Sequence, residues 1–265
     1  MSLKLTIQGI LIYGTMLAYL GAAGCFALKR RKQGDIIYFI GFLLAAAAFV
    51  YRWVHAGHAP LQNLFEVFLC LGMLMYPLSW ACRRFLEVPG EGMDAFIGFA
   101  ILFPAGFVFS AEPQKLPPAL QSWFFVPHVA AYMLAYVILV KAAVQALRHL
   151  WAGRQADSAE NMKYELYAYR TVRLGFPLLT LGLLLGSWWA KVAWGDYWNW
   201  DPKELWSLAT WLVYAGYIHV RFAQKNRFPR LNSSLVLVGA VFIVITLLWV
   251  NLAAKLFPGL HTYAT

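Results

Sequence analysis

The chain has 265 residues, 61% of them hydrophobic and only 13% charged, with mean hydropathy +0.58 and a formal net charge of +10. A soluble domain carries about 25% charged residues, so composition excludes a water-soluble globular class and predicts an integral membrane protein. The excess of positive charge, which in a soluble protein would suggest nucleic acid, sits here in alternate loops; it reads as topology, with the lipid bilayer and not nucleic acid as the partner.

A spanning helix needs roughly 20 mainly apolar residues. Eight stretches qualify in chain order, at 4–28, 36–54, 62–82, 93–111, 123–147, 170–192, 203–222 and 233–255. Residues 5–28 are long enough to span and lack a basic n-region and a small-residue cleavage site, so no cleavable signal peptide is expected. Basic residues collect in every second connection: Lys29 to Lys32, then Arg83 and Arg84, then Arg148, Arg154, Lys163, Arg170 and Arg173, and finally Arg221, Lys225, Arg227 and Arg230. By the positive-inside rule these loops are cytoplasmic. The expected fold is all-α, a polytopic bundle of about eight transmembrane helices with both termini outside. The chain reads as a single membrane domain over 1–265, with 149–169 as its one sizeable cytoplasmic connection. Cys25, Cys70 and Cys82 are isolated, with no CxxC pair to support dithiol exchange or a zinc site.

One segment stands out on the outer side. Trp188, Trp189, Trp194, Trp198, Trp200, Trp206 and Trp211 fall within 188–211, together with Asp196, Asp201, Lys203 and Glu204. Tryptophan is enriched wherever helices leave a bilayer, but a belt scatters one or two over many helix ends. This density suits a surface for a flat, partly charged ligand. Asp201 before Pro202 reads as an N-cap followed by a helix start, which is a sufficient structural reason for it. A lysine is unfavourable at a helix N-terminus, so Lys203 is a candidate partner for a ligand carboxylate.

The six histidines differ in predicted depth. His55 and His58 lie at the outer end of the second stretch, His128 opens the fifth after Pro127, and His261 is in the C-terminal tail. His149 falls in the cytoplasmic connection, and His219 near the inner end of the seventh stretch. A neutral imidazole is a good axial ligand for haem iron, and indole rings suit a tetrapyrrole face. His128 and His261 flank the Trp segment and could approach an iron from opposite faces; each alone could equally cap a helix or anchor at the headgroups. An ionisable group in a span is by default a functional candidate, yet His219 could also snorkel to cytoplasmic water. Glu66, the only acid in the third stretch, has Arg52 or the Trp-segment lysines as partners, or shapes a polar entrance.

WGDYWNWDPKELW (194–206) closely resembles the tryptophan-rich WWD signature of the haem-handling proteins of cytochrome c maturation, and its WDPKE ending resembles the CcsA (ResC) branch of system II rather than the CcmC or CcmF branches of system I. GHAPLQNLFE (57–66), PPALQSWFFVPHV (117–129), AGYIHVR (215–221) and GLHTYA (259–264) match further elements of that family in the same order. Phe65, Thr262 and Ala264 depart from the usual residues without removing a proposed ligand.

The resemblance implies a membrane haem exporter and cytochrome c synthase, or haem lyase, acting with a CcsB (ResB) partner in a bacterial cytoplasmic or a thylakoid membrane. By transfer, His128 and His261 would ligate the iron of haem b at the outer surface, and His219 would ligate it in transit. The aromatic surface would come from Trp194, Trp198, Trp200 and Trp206, with Asp201 and Lys203 beside it. The reaction would join two thiols of an apocytochrome c CxxCH segment to the haem vinyl groups, largely a matter of positioning. The rivals are a haem transporter or chaperone that joins nothing, and a non-haem membrane subunit that uses its tryptophans as a belt.

Overall fold

A computed structural model describes residues 6–151 and 158–252. Its described residues form eight long helices: α1 (Ile7–Ala27), α2 (Arg31–Ala56), α3 (Leu64–Leu86), α4 (Glu91–Phe107), α5 (Phe125–Trp151), α6 (Met162–Trp194), α7 (Pro202–Ala223) and α8 (Pro229–Val244). The backbone of α8 continues through a π-helical turn, Ile245–Trp249, to Leu252. Six of these stretches, all but α4 and α7, are long and apolar enough to cross a membrane. The chain therefore has the all-α, polytopic character expected of it. Hydrocarbon offers no partner to the backbone, so helices, which satisfy their own N–H and C=O groups, are the natural spanning form.

Boundaries differ from the hydropathy reading at several helix ends. α2 starts at Arg31 and α6 at Met162, so Arg31, Lys32, Lys163 and Arg170 lie on helices and not in loops. Charged residues in a terminal turn can leave their heads in water while the backbone stays helical, and hydropathy alone misses such turns. The 149–169 connection is shortened from both sides. His149, expected in that loop, lies in the last turn of α5 and is fully buried, with Nδ1 2.9 Å from Ser233 Oγ.

Two compact units divide the chain, one built on α1–α4 and the other on α5–α8. In the first, α1 packs on α2 and α4, and Tyr19 of α1 lies at its centre. The phenol donates to Gly72 O of α3 at 2.9 Å. Its ring lies against Gly41 of α2 and Gly98 of α4, where a Cβ would stand 2.5 and 2.7 Å away. One tyrosine thus ties together four helices, and it can do so because two of its neighbours have no side chain.

Both ends of this unit are closed by ion pairs. At one end Arg83 lies 2.9 Å from Asp35 and 3.0 Å from Glu91, and Arg31 lies 3.1 Å from Glu91. At the other end Arg52 and Glu66 form a fully buried pair at 2.8 Å, which selects Arg52 among the partners considered for Glu66. Arg52 also donates to the carbonyls of Ala111 and Glu112. Glu66 accepts from Gln62 N at 2.8 Å, and its own N–H is capped by Asn63 Oδ1 at 3.0 Å. The GHAPLQNLFE segment is therefore a built loop. His58 belongs to it, with Nδ1 3.0 Å from Ala59 O, while His55 lies in the last turn of α2, with Nδ1 2.8 Å from Tyr51 O.

In the second unit α5 packs on α6 and α8, and α7 on α8. Its basic end is joined by a chain of polar contacts. Glu165 of α6 accepts two bonds from Arg221 of α7, at 2.8 and 3.0 Å, and one from Asn226 at 3.1 Å. Asn226 in turn accepts from Asn232 of α8 at 2.7 Å. Arg221, counted above as a loop charge, is thus neutralised within the bundle.

The Tyr19 contact gives a direct test. Gly41→Ala should lower stability by about 1–3 kcal/mol through overpacking. Gly24→Ala, whose Cβ would meet nothing within 4 Å, should be neutral or slightly stabilising. Thermal unfolding in detergent checks both, and equal effects would contradict the packing account.

Candidate functional site

The site is built at one end of the second unit. His128 lies in the first turn of α5, half-buried, and its Nδ1 is 2.8 Å from the carbonyl oxygen of Gly182 on α6. A carbonyl only accepts, so Nδ1 carries the proton and donates. In the neutral ring Nε2 is then the nitrogen with the lone pair, the form that binds a metal. The imidazole stacks on Trp189 at 5.6 Å and 18°, and meets Tyr132 edge-on at 5.1 Å and 87°.

Trp189 is the residue that the sequence reading did not single out. It is only 1% exposed, and it links His128 to Trp194 in an edge-on contact of 4.7 Å. Its neighbour Trp188 is half exposed and packs near Phe124. The only local signal was alternation in the pair: in a helix, consecutive side chains point about 100° apart, so one of two adjacent indoles must turn inward.

After Trp194, α6 ends on Gly195, whose φ of 93° is the left-handed conformation that glycine adopts without strain. Lys191 donates to Gly195 O and lies 5.5 Å from the Tyr197 ring, which folds the turn back on the helix end. Trp198 and Trp200 meet edge-on at 5.9 Å. Trp200 has φ 59° and is largely exposed. A bulky residue in the left-handed region is strained, and a hydrogen-bonded frame holds it there.

That frame is the start of α7. Asp201 caps the helix, accepting from Glu204 N at 2.9 Å, and Glu204 reaches back to Asp201 N at 3.2 Å. Glu204 also accepts from Asn199 N at 2.7 Å. The DPKE motif thus gives a capping box that pins both sides of Trp200. Lys203 sits in the same turn, where burial pulls the pKa of its ammonium down to about 8 and the negative charge of Asp201 opposes that shift in part. Trp206 packs edge-on against Phe242 of α8, and Trp211 donates its indole N–H to Thr180 of α6 at 2.9 Å. Trp211 therefore has a structural task inside the bundle.

The remaining candidates lie elsewhere. His219 is exposed on α7, next to a turn in which Gly216 faces open space. His261 lies outside the described residues. Among the described residues no group of three or more His, Cys, Asp or Glu side chains could hold a metal ion.

Residues 34–257 match the family model described as Cytochrome C assembly protein. The chain is 33% identical over 245 residues to the Cytochrome c biogenesis protein CcsA of Guillardia theta, covering 80% of this chain and 79% of that protein. The chain belongs to the CcsA family of cytochrome c assembly proteins. A second CcsA, from Prochlorococcus marinus strain MIT 9313, is 32% identical over 83% of this chain and 80% of its own. Among solved structures, the Cytochrome c Heme Lyase CcmF has the same fold, with a TM-score of 0.67 at 21% identity over 91% of this chain. The CcsA-family chain spans 45% of that longer protein. The family expected from the WWD signature is thus the family found, and it makes this a membrane protein of cytochrome c biogenesis.

The capping box separates a structural from a binding role for Asp201. Asp201→Ala should cost about 1 kcal/mol and Asp201→Asn only a fraction of that, since asparagine caps as well as aspartate. Thermal unfolding and tryptophan emission report this; equal losses in the two variants would point to a need for the charge itself.

Proposed function

We propose that this CcsA-family chain, working as one membrane domain, presents haem b to apocytochrome c as the haem-handling subunit of a cytochrome c synthase, with a CcsB (ResB)-type membrane partner. One observation supports the reading above all: His128 Nδ1 lies 2.8 Å from the Gly182 carbonyl, a contact that favours the tautomer with its lone pair on Nε2, beside a tryptophan-lined turn. His128 and His261 are the proposed outer iron ligands. Trp194, Trp198, Trp200 and Trp206 are the proposed aromatic surface, with Asp201 and Lys203 at its edge.

Haem is the substrate in this scheme. The chain's own contribution is orientation and exclusion: His128 holds the iron, the indoles cover the ring, and Lys203 offers a charge to a propionate. A CxxCH segment then presents its two thiols to the vinyl groups, and its histidine replaces one of the chain's ligands. Each thiol adds across a vinyl group, forming a C–S bond while its proton ends on the neighbouring carbon. His219, on an exposed face of α7, is proposed to ligate haem during transit, with a second ligand from the partner. The scheme puts the WWD segment and both termini on the outer side of a bacterial cytoplasmic or a thylakoid membrane. The uneven distribution of arginine and lysine supports that sidedness.

The full chain purified with its partner should show a low-spin, bis-histidine haem spectrum. His128→Ala or His261→Ala should shift it to a high-spin form. A complex that retains no haem, or spectra unmoved by both substitutions, would sink the proposal. Covalent haem on a co-expressed CxxCH substrate distinguishes joining from mere delivery. His219→Ala should cut haem loading at the outer site severalfold while leaving the spectrum of the remaining haem unchanged; full loading would remove His219 from the route.

A further inference from the structure

On the same reading of His128 as an iron ligand, we propose that Gly182 and Gly186 of α6, with Trp189, are its positioning residues. They form a seat that sets which nitrogen faces the iron and how the ring is turned.

Gly182, Gly186 and Trp189 are spaced four and three apart, on one face of α6. A Cβ at Gly186 would stand 2.5 Å from Cε1 and 2.8 Å from Nδ1 of His128. In a helix the carbonyl of residue i points toward residue i+4. A side chain at 186 would therefore cover the Gly182 carbonyl from the direction in which the imidazole reaches it. Glycine at 186 opens that carbonyl, and the ring occupies the space. Gly182 performs the matching service one turn away, where a Cβ would lie 3.1 Å from the ring of Tyr132. Tyr132 is thereby brought edge-on to His128, and Trp189 closes the other face by stacking.

The plainer account is that these glycines only let α5 and α6 approach closely, as small residues do between membrane helices. Gly175 of α6 does that: its Cβ would meet Leu139 of α5 at 2.8 Å. At 186 the space is filled by a polar ring making a directed hydrogen bond, and at 182 by the tyrosine that meets that ring edge-on. A carbonyl acceptor behind a ligating histidine fixes the tautomer and raises the basicity of the metal-facing nitrogen. The seat thus bears on the strength of the axial bond and on the reduction potential of the iron.

The test uses the full chain purified with its partner and haem, comparing wild type with His128→Gly, Gly186→Ala, Gly186→Ser, Gly175→Ala and Trp189→Leu. The readouts are the absorption spectrum, the midpoint potential and haem retention. Gly186→Ala and Gly186→Ser should lose low-spin character and about tenfold in haem retention, the range seen when outer-shell partners are removed. Added imidazole should restore the low-spin spectrum in both, as in His128→Gly. Gly175→Ala, on the same pair of helices, should keep the wild-type spectrum and potential.

If His128→Gly leaves the wild-type spectrum unchanged, the ligation reading fails and the seat fails with it. If His128→Gly abolishes the spectrum while both Gly186 variants retain it and its potential, ligation stands and the seat is overturned. Loss of the spectrum in Gly175→Ala as well would reduce the effect to helix packing and also overturn it. Should the Gly186 variants not accumulate, Trp189→Leu decides: a shifted potential with the ligand retained supports the seat, and an unchanged potential overturns it.

Discussion

Hydrocarbon supplies no hydrogen bonds, so a charged or strongly polar group that leaves water is costly unless it finds a partner within the protein. That constraint explains more of the structure than any hydrophobic contact does. A buried ion such as the Arg52 guanidinium would be costly alone, and removing one member of such a pair costs about 3–5 kcal/mol. It is met by Glu66 and by two carbonyls, and the same contacts shape the 57–66 loop of the first unit. Glu165 answers Arg221 and Asn226 in the same manner at the basic end of the second, and Asn226 in turn accepts from Asn232. The imidazole of His128 follows the rule too, with its Nδ1 on the carbonyl of Gly182.

Where the polar groups lie, the glycines decide what can approach. Tyr19 reaches the carbonyl of Gly72 because Gly41 and Gly98 leave room for its ring. His128 reaches the carbonyl of Gly182 because Gly186 leaves room for its own. The two units thus repeat one device: an aromatic or heteroaromatic side chain laid in a groove of missing Cβ atoms, with its polar atom on a helix carbonyl. In the first it makes a core. In the second it makes a seat at the end of a bundle, next to a strained tryptophan turn held by a capping box.

Much of this was legible beforehand. Long apolar runs announced eight helices, DPKE announced the start of α7, and the WWD signature announced the family. Glu66 and Arg52 were a stated option. Other features were not readable. His149 looked like a loop residue because hydropathy declines before the helix does, and Trp189 looked like one indole among seven. A run such as GLLLGSWW carries a small-xxx-small pattern, which marks a close helix contact without naming what fills it.

By itself, then, the sequence determined the solvent, the secondary structure, the caps and the kinship, because each of these depends on residues near one another along the chain: composition, period and turn chemistry are local. Only the tertiary structure decided that Gly182 meets His128, that Trp189 and not its neighbour turns inward to the imidazole, and that the ring's Nδ1 is the nitrogen facing a carbonyl. Those outcomes depend on the rotation and spacing of α5 against α6, across more than fifty residues of chain. Helix rotation is set by the sum of many side-chain contacts, and no short stretch of sequence contains that sum.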